Sequence, residues 1–178
     1  SDAALLTFDL YARAAGIDAS KVQVDGSMGG MGQAVADMLR GPSQVHSTAG
    51  VFGFVNTIIA SVTPLGVDPR ALRFLNWSDV LPDMYGNTLF VTRETYLREP
   101  QTLHGLVRAV NRGLVDSVRV PEAAIDTLLR LAPGSDRAVN LRRLMGTLAI
   151  EMAHPEGARI GIGDMDDERL ARFIAQIV

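Results

Sequence analysis

Cysteine is absent from the 178 residues, which excludes a disulfide framework, a cysteine zinc site and thiol catalysis. Lysine occurs once, as Lys21, and the other basic groups are arginines scattered along the chain. With a net charge of -3 and no basic stripe, nucleic acid is not an expected partner. No apolar run approaches the ~20 residues that a membrane span needs. The start, SDAALLTFDLYARAAG, lacks both the charged-then-apolar layout of a secretion signal and an initiator methionine. The sequence is therefore expected to be a processed or excised piece of a longer protein.

What is present is enough for a real core. Hydrophobic residues make up 47% of the chain and charged ones 21%, the composition of one or two small globular domains. Leu6, Leu10 and Ala14, with Ala3 and Tyr11, form a helical stripe over residues 3–15 that Asp2 can cap and Gly16 can end. The alternation of Val22 and Val24 predicts a strand, followed by the glycine-rich GSMGGMG and a helix through Val35, Met38 and Leu39. A second strand is expected at Gln44–Ser47, a turn at Thr48–Gly50, a helix over Val51–Val62, and a third strand over Leu72–Asn76. Gly16-Ile17-Asp18 with Val22 and Val24 recurs fifty residues later as Gly66-Val67-Asp68 with Leu72 and Phe74, each expected to mark the passage from a helix end into a strand. Alternating helices and strands predict an α/β fold with a largely parallel sheet, whose ligands sit beyond the carboxyl ends of the strands.

The second half changes character. After a strand at Thr88–Val91, helices are expected from Thr92, from Pro100, from Pro121 through Leu131, over Asn140–Met152 and over Asp166–Val178. The division is an α/β part, 1–82, and a mostly helical part, 83–178, with Asp83–His104 at the seam.

Gly16-Ile17-Asp18, then Trp77-Ser78-Asp79, then Tyr85-Gly86-Asn87 followed by LFVTRETYLREPQTLHGLVRAVNRGLVDSVRVPEAAIDTLL carry a resemblance. The chain resembles the solute-binding proteins of bacterial ABC importers, of the type that receives sulfonates, nitrate and pyrimidine precursors. The resemblance implies a type II periplasmic-binding-protein architecture of two α/β lobes, with this chain supplying the second lobe and the returning helices of the first. It also implies a hinge at Tyr85 and Gly86, a small anionic or planar solute as ligand, an ABC permease as partner, and a periplasmic or lipoprotein-type extracellular location. No catalysis, cofactor or metal is expected. One departure stands out: where the family usually reads Gly-Gln-Val-Asp-Ala, this chain has Pro42-Ser43-Gln44-Val45-His46-Ser47, so its ligand is expected to be unusual.

Under this reading the cleft is lined by Ser27 and Gly29 of the glycine loop, by Thr48 and Ala49, by Trp77 and Ser78, and by Tyr85 and Asn87. Each has a plainer alternative. The glycines at 26, 29, 30 and 32 fit neither G-x-G-x-x-G nor a phosphate loop, leaving a cleft loop or a flexible turn. Thr48-Ala49-Gly50 is an anion or carbonyl pocket at a helix start, or a simple cap. Trp77 stacks on a planar ligand or packs between the lobes. Asn87 lines the hinge or only satisfies a turn. His46, His104 and His154 share no metal-ligand spacing, and no nucleophile elbow is present. Two other functions share the resembled architecture, an effector-binding domain of a transcriptional regulator and an enzyme of thiamine-pyrimidine synthesis. The regulator needs a neighbouring helix-turn-helix, and the enzyme needs a cysteine-rich iron motif that this chain lacks. An excised piece is also expected to self-associate through exposed apolar surface.

Overall fold

The computed structural model describes residues 3–25, 30–41 and 48–177. Helices α1 (Ala3–Leu6) and α2 (Phe8–Ala15) are followed by α3 (Met31–Arg40), α4 (Val55–Val62), α5 (Arg93–Arg98), α6 (Pro100–Arg119), α7 (Pro121–Leu131), α8 (Arg137–Gly146), α9 (Pro155–Ile160) and α10 (Asp167–Ile177). A π turn, Thr147–Glu151, continues α8. Proline occupies the first turn of α6, α7 and α9, where its missing N–H is no loss. Thr92 caps α5 by accepting from the Thr95 N–H at 3.1 Å, and Asp136 caps α8 by accepting from that of Val139 at 2.7 Å.

Among the described residues there is no strand and no sheet, which corrects the expected α/β class and with it the type II lobe with returning helices. Residues 22–25, 72–76 and 88–91 lie outside any helix, but none joins a ladder. Period-two alternation makes extended backbone favourable; a strand also needs a neighbour whose N–H and C=O groups meet its own. The expected strand at 44–47 lies outside the described residues, as does the Asp2 cap. The helix expected over Val51–Val62 begins only at Val55, after a bend at Gly53.

The fifty-residue recurrence is reproduced at backbone level. Gly16 (φ 68°) and Gly66 (φ 73°) both take left-handed caps. The next residue's N–H reaches back into the helix, Ile17 to Ala12 O at 2.8 Å and Val67 to Val62 O at 3.3 Å. Asp18 then accepts from the Ser20 N–H at 3.1 Å, and Asp68 from that of Arg70 at 2.9 Å, each opening a short 3-10 turn. Val22 and Leu72 leave those turns in extended conformation. The same five-residue grammar thus produces the same helix stop and extended exit twice.

The core sits on α4. Val35 of α3 and Ile58 and Val62 of α4 are buried, and Met31, Met38, Val51, Val67, Leu72 and Phe74 pack around them. α4 lies between α3 and α8, and each contact carries a glycine. A Cβ at Gly32 would meet the Ser61 carbonyl oxygen at 2.8 Å, and one at Gly146 would meet the Asn56 Cβ at 2.7 Å. Asn56, 5% exposed, donates to Thr147 Oγ1 at 2.5 Å and to the Arg143 carbonyl at 3.3 Å, while its own oxygen accepts from the Thr57 N–H at 2.7 Å. Its amide is fully employed, as a buried polar group requires. Beyond α8 the helices continue outward, α7 on α8, α6 on α7 and α5 on α6.

Gly146→Ala is expected to destabilise the protein by about 1–3 kcal/mol in urea unfolding, because overpacking against Asn56 outweighs alanine's better helix propensity.

Candidate functional site

Tyr85 is the most connected of the residues that the sequence singles out. Arg169, on the first turn of α10, lies over its ring with the guanidinium carbon 4.1 Å from the centroid. The Tyr85 hydroxyl donates to Glu156 Oε2 at 3.0 Å and accepts from the Asp166 N–H at 2.9 Å. Arg169 also donates to Glu156 Oε2 at 2.6 Å, to the Asp83 carbonyl at 3.2 Å and to the Met84 carbonyl at 2.9 Å. The side chains of Arg169 and Glu156 are each only 11% exposed, so this is a desolvated ion pair with its further donors satisfied by backbone. One turn further along α10, Arg172 grips the Asp83 carboxylate through Nε at 3.2 Å and a terminal nitrogen at 2.9 Å. Residues 83–85 are thereby strapped to α9 and α10.

Local sequence explains each part. His154 caps α9 by accepting from the Glu156 N–H at 3.2 Å, which sets Glu156 in a first turn where the helix dipole favours its charge. Asp166 caps α10 by accepting from the Arg169 N–H at 2.9 Å, and Arg159 donates to its other oxygen at 2.5 Å. The i, i+3 spacing of Arg169 and Arg172 then puts both guanidinium groups on one face of α10. The Arg172 hydrogen bond, then the charges of Arg172 and Arg169, hold the Asp83 carboxyl below its ordinary range. The Arg169 N–H and the Arg159 side chain do the same for Asp166.

The remaining candidates do not converge on this cluster. Ser27 and Gly29 lie outside the described residues, as does His46. Thr48 is half-buried and Ala49 exposed, and both precede the first residue of α4, Val55, by several positions, so they do not form the N-terminal pocket of that helix. Trp77 stacks on Tyr11 at 4.1 Å, stands edge-on to Phe52 at 6.4 Å and donates through Nε1 to Thr7 Oγ1 at 3.0 Å. Its ring, half-buried, is engaged in packing α2 against residues 52 and 77. Ser78 and Asn87 are exposed. Gly86 is also exposed, lacks a positive φ and has open space around its Cα, so its backbone does not require glycine in this conformation. A groove of about 570 Å³ opens between α6 and α7, but Ser117 and Thr127 in its wall donate to the Gly113 and Ala123 carbonyls of their own helices.

Asp83, Glu156, Arg169 and Arg172 escape a reading by motif because they are ordinary surface residue types; only the paired arginines after the acidic start of α10 hint at them. Arg169→Ala should cost about 3–5 kcal/mol, since Glu156 loses its charged partner and two backbone carbonyls lose their donors together. Gly86→Ala should stay within about 0.5 kcal/mol of the parent in the same urea titration. Asp83 and Asp166, with folded pKa values below their unfolded ones, contribute stability that is complete above the ordinary carboxylate range and is lost on acidification. The melting temperature should therefore fall as pH drops from about 5 towards 2, less steeply in Asp83→Asn.

No family model, no curated protein and no solved structure matches this chain.

Proposed function

We propose that the chain works by capturing a small anionic or planar solute, as part of the solute-binding component of an ABC importer that hands its ligand to a membrane permease. No bond is made or broken in this reading, and the place of action is the periplasm or the outer face of the membrane. The observation that carries it is the asymmetry of the joint at Tyr85. On one side, residues 83–85 are fixed to α9 and α10 by Arg169 and Arg172. On the other, residues 86–94 are exposed. A segment clamped at one end and lightly held at the other can absorb a change of backbone angles while the clamp stays intact, which is the mechanical requirement of a hinge. Tyr85-Gly86-Asn87 also opens the run of sequence that carries the family resemblance.

Under this reading Ser78 and Asn87, both exposed, are the polar groups offered to solute, whereas Trp77 acts from beneath by holding the Trp77–Asp79 turn on α2. Ligand shifts the population towards a closed state only through contacts that the open state lacks. The architecture invoked is a clamped helical joint, and no sheet is required for it.

The test is a thermal-shift series with alkyl sulfonates, nitrate, aromatic carboxylates and pyrimidines. Ligand that binds the folded state alone raises the melting temperature by mass action, by about 2.7 kcal/mol of added stability at a hundredfold excess over Kd. One class is expected to raise it, with the shift reduced in Asn87→Ala and Ser78→Ala. A flat response to all four classes would remove the reading.

A further inference from the structure

We propose that the chain pairs with a second copy of itself through α6, the two helices running antiparallel about a two-fold axis. α6 is the longest helix described, 20 residues, and not one of its residues is buried. On it Leu103, Val107, Val110, Leu114 and Ser117 recur at alternating steps of four and three, the repeat of a helix–helix seam. Val107 and Val110 remain 48% and 51% exposed, and the flanking Leu106 and Val118 42% and 53%. α5 touches one end of the helix and α7 the other, leaving the middle of the stripe open to water. The charged residues Arg108, Arg112, Asp116 and Arg119 fall on the opposite side of the helix at 100° per residue, so no charge on α6 sits in the seam.

The composition of the stripe selects the occupant. Read from either end it gives Leu-Val-Val-Leu, so a two-fold axis passing between Arg108 and Ala109 sets Leu103 against Leu114 of the second copy and Val107 against Val110 of the second copy. A surface that is complementary to itself in this way is what an isologous interface requires. The antiparallel sense opposes the helix dipoles favourably. It also lays the exposed Tyr96 and Leu97 of α5, 65% and 66% accessible, beside the Val118–Val120 end of the other α6.

The areas are consistent with an association of this kind. The accessible surface is 12671 Å², against about 8,400 Å² for a self-contained chain of 19.1 kDa. The excess is larger than the ~600–1,000 Å² per partner that a stable interface needs. The seam from Leu103 to Leu114 runs about 17 Å along a helix about 30 Å long, and α5 widens it at both ends.

Sedimentation velocity between about 1 and 100 µM protein tests the proposal, with a concentration-dependent dimer expected. Val110→Glu should raise the dissociation constant roughly a hundredfold, because the two-fold axis buries two unpaired charges. Circular dichroism should show its helix content unchanged, since Val110 is half exposed in the single chain. Arg108→Glu, on the outer face, should leave the dimer intact. The protein has no cysteine, so Val107→Cys and Val110→Cys chains each carry one thiol. Mixed and oxidised, they should give mainly the disulfide between the two variants. A monomer throughout the range, a dimer indifferent to Val110→Glu, or crosslinks only between identical variants would overturn the proposal.

Discussion

The packing from α3 to α8 depends on the enclosure of α4. It is a short helix, yet four of its residues are buried, and it is gripped on two sides by α3 and α8. Two glycines allow the approach, and one buried asparagine decides its register. Asn56 spends its amide on the end of α8 and the start of the π turn, 87 and 91 residues away in sequence. Sliding α4 by a residue would leave that amide, and the backbone it serves, without partners in a dry contact, a cost comparable to the loss of several methylene groups from the core. The apolar side chains Val35, Ile58 and Val62 supply the attraction; Asn56 supplies the uniqueness.

The joint at Tyr85 follows a different logic. There the contacts are polar and charged, two of them to backbone carbonyls, and they hold an irregular segment that has no helix of its own. Arg169 suits this task because its planar group can face an aromatic ring and still present donors in three directions. The result is a firm attachment of residues 83–85 next to a lightly held stretch from Gly86 onward. Rigidity on one side and freedom on the other is a mechanical asymmetry, and it is this property, more than any single side chain, on which the solute-capture reading rests.

Apolar surface is unevenly spent. The α3–α4–α8 contact is dry and close, while α5 and α6 leave Tyr96, Leu97, Val107 and Val110 largely in water. An amphipathic helix draws most of its stability from the face it buries, so a twenty-residue helix with nothing buried is incomplete as a folded unit. The exposed α6 seam and the oversized accessible surface are two aspects of the same shortage of internal partners.

Local chemistry was legible in the sequence. The glycine stops at 16 and 66, the aspartate turns after them, the proline starts at 100 and 121 and the α7 boundaries all depend on residues a few positions apart, and the structure places them as the pattern requires. The recurrence of Gly-Ile-Asp as Gly-Val-Asp marks two helix ends, as expected, but the strand expected after each is extended chain that joins no sheet. What the pattern could not settle was whether that extended chain finds a neighbour. Alternating apolar residues are equally compatible with a strand in a sheet and with a segment lying against helices, as Leu72 and Phe74 do on α4. The Tyr85 cluster was half visible: its tyrosine stood out, but Glu156 and Arg169 come from 71 and 84 positions further on, and nothing in their own neighbourhoods announces the meeting. Sequence alone determined the helix boundaries set by local chemistry, as at Gly16, Pro100 and Pro121, because caps and turns are short-range hydrogen bonds. Only the tertiary structure decided which faces meet, because that choice is made by packing and desolvation between residues the chain keeps far apart.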